Sequence, residues 1–476
     1  MAGLAQGSAH NSPPVITPET AQFFEKEDLL TPVINKKRKI SASMISPPSS
    51  QPSCSRSASS NSASRVSSGS FSATFVGQAT DEVEIPADLR SQETYEFLGF
   101  DYHTAVALWQ RFLSQPADMQ AEFFDFAQWH IEEPERPDAT SGLDDWDACM
   151  ITIGINNKLR NAILLSEYSD ICCTASCKYW LIDTMEMKWR ALQVLNADLR
   201  IEQARIQHGK KTPKSGPKPG STSSIPPQIH PHSHDPGLPP STKPPSTPLF
   251  SEVEIEDKPR PIVATLSDAT LKMDHHTMIW RAGDKEKHKD FYNEITGEID
   301  LATIATVPGD FSGTRRVAYF TPQKETADRY AKWTKHKTDI VKVVIAQVAV
   351  PWSLVEKLSP QYLWFQDSQN ANDTWKKLVW YCRRGKSLPK ELRYIEEKDL
   401  LIGHIASGTN VKYERLKSHE QIKSNDLLTL QVDGEEKKAL QWVFQTHRAT
   451  DDFETECRGK IWIHSLGALN IPKQSE

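Results

Sequence analysis

The sequence has no apolar run near the roughly 20 residues that cross a bilayer as a helix. Its N-terminus, MAGLAQGSAHNSPP, lacks the apolar core of a signal peptide. These absences argue against membrane insertion and secretion, and the expected location is the nucleus or cytoplasm. Cysteine is scarce and odd in number. Cys54, Cys149, Cys172, Cys173, Cys177, Cys382 and Cys457 are scattered, which excludes a disulfide framework. The cluster Cys172-Cys173-x3-Cys177 has no C-x2-C pair and no nearby histidine pair to complete four ligands, so no metal is expected. There is no G-x-S-x-G, G-x4-G-K-[ST], H-E-x-x-H or Rossmann glycine fingerprint. A large charge excess is missing too: 56 Lys and Arg against 62 Asp and Glu give a net charge of -6, so the chain as a whole does not bind polyanions by charge alone. Hydrophobic residues make up only 38% of 476 and the mean hydropathy is -0.54, so part of the chain is expected to remain unfolded.

What is present divides into four segments. Residues 1–82 are rich in Ser and Pro and have too little apolar surface to offset the entropy of ordering; they read as a disordered tail. The tail carries a basic tetrad, Lys36 to Lys39, of the kind an acidic import groove captures, and Ser-Pro and Thr-Pro pairs such as Ser46-Pro47 and Thr17-Pro18 that can accept phosphate. Residues 85–203 change to helical patterning. Thr104 is the expected cap of a helix burying Val106, Trp109 and Leu113; a second helix carries Phe123, Phe126 and Trp129; a third runs from Asp144 to about Leu165 and a long fourth from Tyr179. Such a helical bundle suits protein contacts. Its acidic residues Glu132, Glu133, Asp138, Asp144 and Asp145 lack EF-hand spacing and read as a solvated loop. Residues 208–260 are a Pro-rich linker, expected to space two folded parts that move independently. Its Pro pairs suit SH3 or WW partners, and His230, His232 and His234 read as spacer rather than metal ligands.

Residues 262–470 mix strand and helix patterns. HHTMIWRAG, VAYFT, DIVKVVIAQVAV, WKKLVWYCRRG, KDLLIGHIASG, KKALQWVFQT and KIWIHSL read as strands, with a helix over PQKETADRYAKWTK. Few crossover helices separate them, which predicts an α+β domain on a largely antiparallel sheet. Lys376, Lys377, Arg383, Arg384 and Lys386, interleaved with Trp375, Trp380 and Tyr381, form the best candidate nucleic-acid patch; core aromatics beside solvated charge is the favoured reading. His404 and His447 are single histidines without a nucleophile and carboxylate at suggestive spacing, and read as structural.

Four stretches of this last segment, in order, resemble the ADP-ribosyltransferase-like superfamily, and in particular its uncharacterised members. Ile279-Trp280-Arg281-Ala282-Gly283 resembles the first-strand aromatic-Arg-small signature. Val317 to Pro322 followed by Ala327-x2-Tyr330-Ala331 is similar to the second motif; Lys398 to Ala406 and Gln441 to Thr446 are similar to later strands. The resemblance covers about Met278 to Arg448 and implies NAD as substrate, with no metal. It places Arg281 on pyrophosphate or ribose, Tyr319 and Tyr330 stacked on nicotinamide, and Thr321 hydrogen-bonded near it. Active members commonly use a late-strand Glu to grip the ribose, where this chain has Gln441 and Gln445; glutamine hydrogen bonds but supplies no negative charge. Glu435 and Glu436 precede that strand. The implied function is NAD binding, with ADP-ribose transfer to a protein or nucleic acid. The alternative is a non-enzymatic nuclear scaffold with a degenerate domain, its protein partners held by the helical segment and linker.

Overall fold

Three residues of the basic tetrad, Lys37 to Lys39, lie in a strand and Lys36 in the turn before it, not in a disordered tail. Residues 18–26 form helix α1 (Pro18–Lys26), and β1 (Lys37–Ser41) pairs antiparallel with β2 (Glu82–Pro86), Lys39 opposite Glu84. Acidic side chains come to the tetrad from three elements: Lys37 lies 2.9 Å from Glu96, Arg38 3.4 Å from Glu25 and Lys39 3.3 Å from Glu82. Ile40 is buried beneath them. Opposite charges on the paired strand and the two helices relieve the repulsion among the tetrad's cations. The computed structural model describes residues 12–45, 82–116, 121–136, 138–139, 143–211, 272–306, 309–367, 373–432 and 434–466. Ser46-Pro47, Cys54, His230, His232, His234 and nearly all of the Pro-rich segment lie outside them.

The helical layer follows its sequence period, but not in the expected phase. After α2 (Gln92–Leu98), α3 (Tyr102–Leu113) is capped by Asp101, whose side chain accepts from the Thr104 amide at 2.8 Å; Thr104 is inside the helix. Its buried residues are Ala105, Leu108 and Phe112, while Leu113 is 43% exposed. In α4 (Phe123–Glu132), Phe123 and Phe126 are buried and Trp129 faces out. The expected third helix is two, α5 (Leu143–Ile153) and α6 (Asn157–Ile163). Gly154 separates them at φ +84°, and a Cβ there would meet Thr104 Oγ1 at 2.0 Å, so only glycine fits. The long helix α7 (Cys177–Lys211) closes this layer.

In the α+β layer, β3 (His276–Asp284) is followed by α8 (Lys285–Phe291), β4 (Ala318–Phe320), α9 (Lys324–Lys337), β5 (Val343–Pro351) and β6 (Gln361–Leu363). Then come α10 (Thr374–Arg383), β7 (Leu400–His404), the hairpin β8 (Thr429–Val432) and β9 (Glu435–Lys438), β10 (Leu440–Phe444), α11 (His447–Glu456) and β11 (Ile461–Ser465). The strands form two main sheets, ordered β11-β5-β3 and β4-β10-β7-β6, and every pairing is antiparallel except β6 with β7. The β-branched β5 is buried along its whole length, as a central strand covered on both faces must be. The architecture is α+β. One expected strand is a helix: WKKLVWYCRRG forms α10, capped by the Asp373 carboxylate. Trp375, Leu378, Val379 and Cys382 are buried at i, i+3, i+4 and i+7, a helical stripe that the short aromatic alternation obscured. Lys376 and Arg383 are buried with it, which removes both from any nucleic-acid patch.

The two layers do not hang apart. The described residues on either side of 204–260 form one compact unit, with a shared core. Trp180 on α7 meets Trp333 on α9 edge to face at 4.6 Å, and the Lys337 ammonium lies 4.5 Å from both rings while pairing with Asp183 at 3.1 Å. Arg329 grips Asp170 through two nitrogens at 2.7 and 2.8 Å. Apolar faces of both layers need covering, and each covers the other.

Candidate functional site

Where the two sheets meet, β3 and β4 are joined by reciprocal backbone hydrogen bonds between Trp280 and Thr321, 2.7 and 2.9 Å. This junction turns Arg281, Tyr319 and Thr321 toward a cavity of about 230 Å³. Helix α9 adds Tyr330, and β10 adds Gln441. Five of the six residues singled out in the sequence therefore line one space. Gln445 does not. Its amide donates to the Ile395 and Lys398 carbonyls at 2.5 and 2.6 Å and accepts from Arg315 at 2.7 Å, tying the end of β10 to residues 395–398. Glu435 and Glu436 lie on the exposed strand β9, outside the cavity wall.

Arg281 is held by two donations, to the Tyr319 and Ile304 carbonyls, each 2.7 Å. Burial pulls its pKa below the ordinary arginine value, with Tyr179, Asp183 and Tyr319 opposing. The Tyr319 hydroxyl donates to Ser312 Oγ at 2.9 Å, and a Cβ at Gly309 would meet that hydroxyl at 1.8 Å, so the loop requires glycine for this approach. The Tyr330 hydroxyl donates to Thr174 Oγ1 at 3.1 Å. Burial raises the phenols of Tyr319 and Tyr179, and that of Tyr330 to about 12, so all three remain neutral near pH 7 and serve as donors or stacking faces.

Gln441 is fixed more tightly than an ordinary amide. Its Nε2 donates to Asp310 Oδ2 at 2.9 Å and to the His404 carbonyl at 3.1 Å. Both partners are acceptors, so the amide cannot flip, and its Oε1 is left as the acceptor atom. Asp310 is itself clamped: Oδ1 accepts from Arg383 Nε at 2.6 Å and Oδ2 from the Ala406 amide at 2.7 Å. Arg383 completes the network with donations to the Thr174 carbonyl, to Ala406 O at 3.1 Å and to Asn410 Oδ1 at 3.1 Å. Every oxygen of Asp310 is engaged, which makes it a positioning group for Gln441.

The remaining walls were not legible beforehand. Helix α7 contributes Tyr179, Trp180 and Asp183 from a layer expected to be a separate domain. His288 on α8 is buried and its pKa is pushed down to about 4, chiefly by burial, with Arg281 and Lys287 adding to the effect. Its Nδ1 lies 2.9 Å from the Asp284 carbonyl, so the neutral ring carries its proton there and keeps a lone pair on Nε2. Neither His288 Nε2 nor Trp280 Nε1 has a hydrogen-bond partner among the described residues. Taken together, the cavity offers a guanidinium, neutral aromatic faces, one fixed carbonyl acceptor and the Asp183 carboxylate. Such a set suits a polar ligand bearing both a flat ring and anionic groups. Among the described residues no helix is long and apolar enough to cross a membrane. The chain matches no protein-family model, no curated protein and no solved structure.

Proposed function

We propose that the chain is an NAD-binding, ADP-ribosyltransferase-like protein whose dinucleotide site is the cavity between the sheet junction and helix α7. The observation that carries this reading is the convergence of Arg281, Tyr319, Thr321, Tyr330 and Gln441, contributed by four elements, on one space. Arg281 meets a phosphate or ribose oxygen, the tyrosines cover the nicotinamide, and Gln441 Oε1 accepts from a ribose hydroxyl. Stabilising an oxocarbenium-like ribose calls for negative charge. Gln441 supplies none, and Asp183 on the helical wall is the carboxylate this reading assigns to that role. The acceptor of the ADP-ribose is a protein or nucleic acid.

A second reading, a non-enzymatic binding module with a degenerate site, is favoured by the pinned amide of Gln441 and the full engagement of Asp310. NAD titration into the full chain separates these readings. Binding raises the melting temperature; at ten times its dissociation constant NAD adds about 1.4 kcal/mol of stability. Arg281→Lys, which keeps the charge but loses the planar fork, reduces the shift. No shift at millimolar NAD overturns the NAD-binding reading and leaves the non-enzymatic module. A shift with NAD consumption that Asp183→Asn removes supports the transferase. A shift without consumption leaves the binding module.

A further inference from the structure

Away from the cavity, three side chains that are distant in sequence come together at the start of α7. Asp138, Cys149 on α5 and Cys177, the first residue of α7, place a carboxylate oxygen and two sulfurs all within 4.8 Å of one another. Both cysteines are buried and Asp138 is half-buried. The ordinary reading of two neighbouring core thiols is packing, but packing does not call for a carboxylate beside them.

Backbone donors reach this cluster from both sides. Asp138 Oδ1 accepts from the amides of Ala139 and Lys178, at 2.9 and 3.3 Å, so the carboxylate caps the start of a 35-residue helix, whose positive dipole end faces the cluster. The donor set is two thiolates and one carboxylate, which suits a borderline-soft divalent cation and does not suit magnesium or calcium. Bond lengths of about 2.3 Å to sulfur and about 2.1 Å to oxygen put the ligand atoms of a tetrahedral zinc ion about 3.6–3.8 Å apart, so a closing movement of about 1 Å completes the site.

We propose that Asp138, Cys149 and Cys177 form a binding site for a zinc-class divalent cation, with a fourth position open to water. The spacing of 11 and 28 residues fits no short motif, and Cys172 and Cys173, the neighbours that invited a zinc reading of the sequence, are not members. Bound metal ties the segment at 138–139 and helix α5 to the N-terminus of α7, the helix that carries Tyr179, Trp180 and Asp183 into the cavity.

The test uses the full-length chain, reduced and stripped of metal, titrated with cadmium as a spectroscopic stand-in for zinc. A thiolate-to-cadmium charge-transfer band saturating at one equivalent per chain, and displaced by zinc, is expected. Cys149→Ser and Cys177→Ser each remove the saturable band, Cys172→Ser retains it, and Asp138→Asn weakens cadmium binding by at least about tenfold. Cooperative melting of each variant without metal establishes that it is folded; should a Ser variant fail, Asp138→Asn carries the test, because its amide keeps an acceptor oxygen for the helix start. No band from the reduced wild-type chain, or a band unchanged in Cys149→Ser and Cys177→Ser, overturns the site.

Discussion

The helical layer and the α+β layer reach equally buried interiors by different routes. Between α2, α3 and α4 of the helical layer the partners are near in sequence: Tyr95 stacks on Phe123 at 4.1 Å and donates to the Phe123 carbonyl 28 residues away, and Phe112 meets Phe126 edge to face. In the α+β layer the decisive contacts span far more chain, as Gln441 with Asp310 over 131 residues, and the join between the layers spans most: Arg383 with Thr174 over 209. Local periodicity encodes the first kind of contact. The second depends on topology, and no window of sequence contains it.

The largest expected effect attacks the join. The Arg383 and Asp310 side chains are each 3% exposed, and removing one leaves the other charged and buried. Arg383→Ala is expected to lower stability by about 3–5 kcal/mol, measured by urea unfolding. The form of the transition matters as much as its midpoint. One cooperative transition for both layers is expected of a shared core. Two separated transitions in the wild-type protein would break the comparison and restore the independent domains that the Pro-rich segment suggested.

This contrast also explains what the sequence disclosed of fold and site. Strands such as Val343–Pro351 and helices such as Cys177–Lys211 announce themselves through β-branched runs and helical period, and the α+β class follows from their mixture. The phase of α3 was missed because Leu113 and Leu108 both fit an apolar stripe and only packing chooses between them. Helix α10 is obscured when Trp375 and Tyr381, which a strand would place on one face, are read without Leu378 and Val379. At the site, Arg281, Tyr319, Thr321, Tyr330 and Gln441 were found through resemblance, whereas Asp310 and Asp183 lie in no motif and reach the cavity through a loop and a second layer. One signal was available for Asp310: it follows Gly309, where close backbone approach leaves no room for a side chain.

The next effect sets the layers apart by pH. His288, His404 and His464, all in the α+β layer, have pKa values pushed down to about 4, in each case first by burial. The folded state holds them neutral, whereas the unfolded chain takes up a proton near pH 6.5. Stability from each is therefore complete above about pH 6.5 and is lost as pH falls toward 4. For the fully buried His288 this amounts to about 2 kcal/mol between pH 7 and pH 5. Urea midpoints of the wild type and His288→Gln, taken at both values, check it: the variant's stability falls less on acidification. An equal fall in both places the acid sensitivity elsewhere, for example at His130 in the helical layer, whose pKa is also lowered by burial.

The last test concerns the local half of the comparison. On α3, Leu108 is 1% exposed inside the helical core and Leu113 is 43% exposed on the last turn, five residues on. Leu108→Ala removes packed methyl groups and leaves a cavity, which costs about 2–5 kcal/mol depending on how far the neighbours close in. Leu113→Ala removes a side chain already largely in water and replaces it with the best helix former, so a change within about 0.5 kcal/mol is expected. Had the helix lain in the phase that puts Val106, Trp109 and Leu113 inward, the two substitutions would exchange their costs. Chemical denaturation of the pair thus reads the rotation of one helix directly, and a penalty at Leu113 comparable to that at Leu108 would mean that this turn is covered by a surface the folded chain itself does not supply.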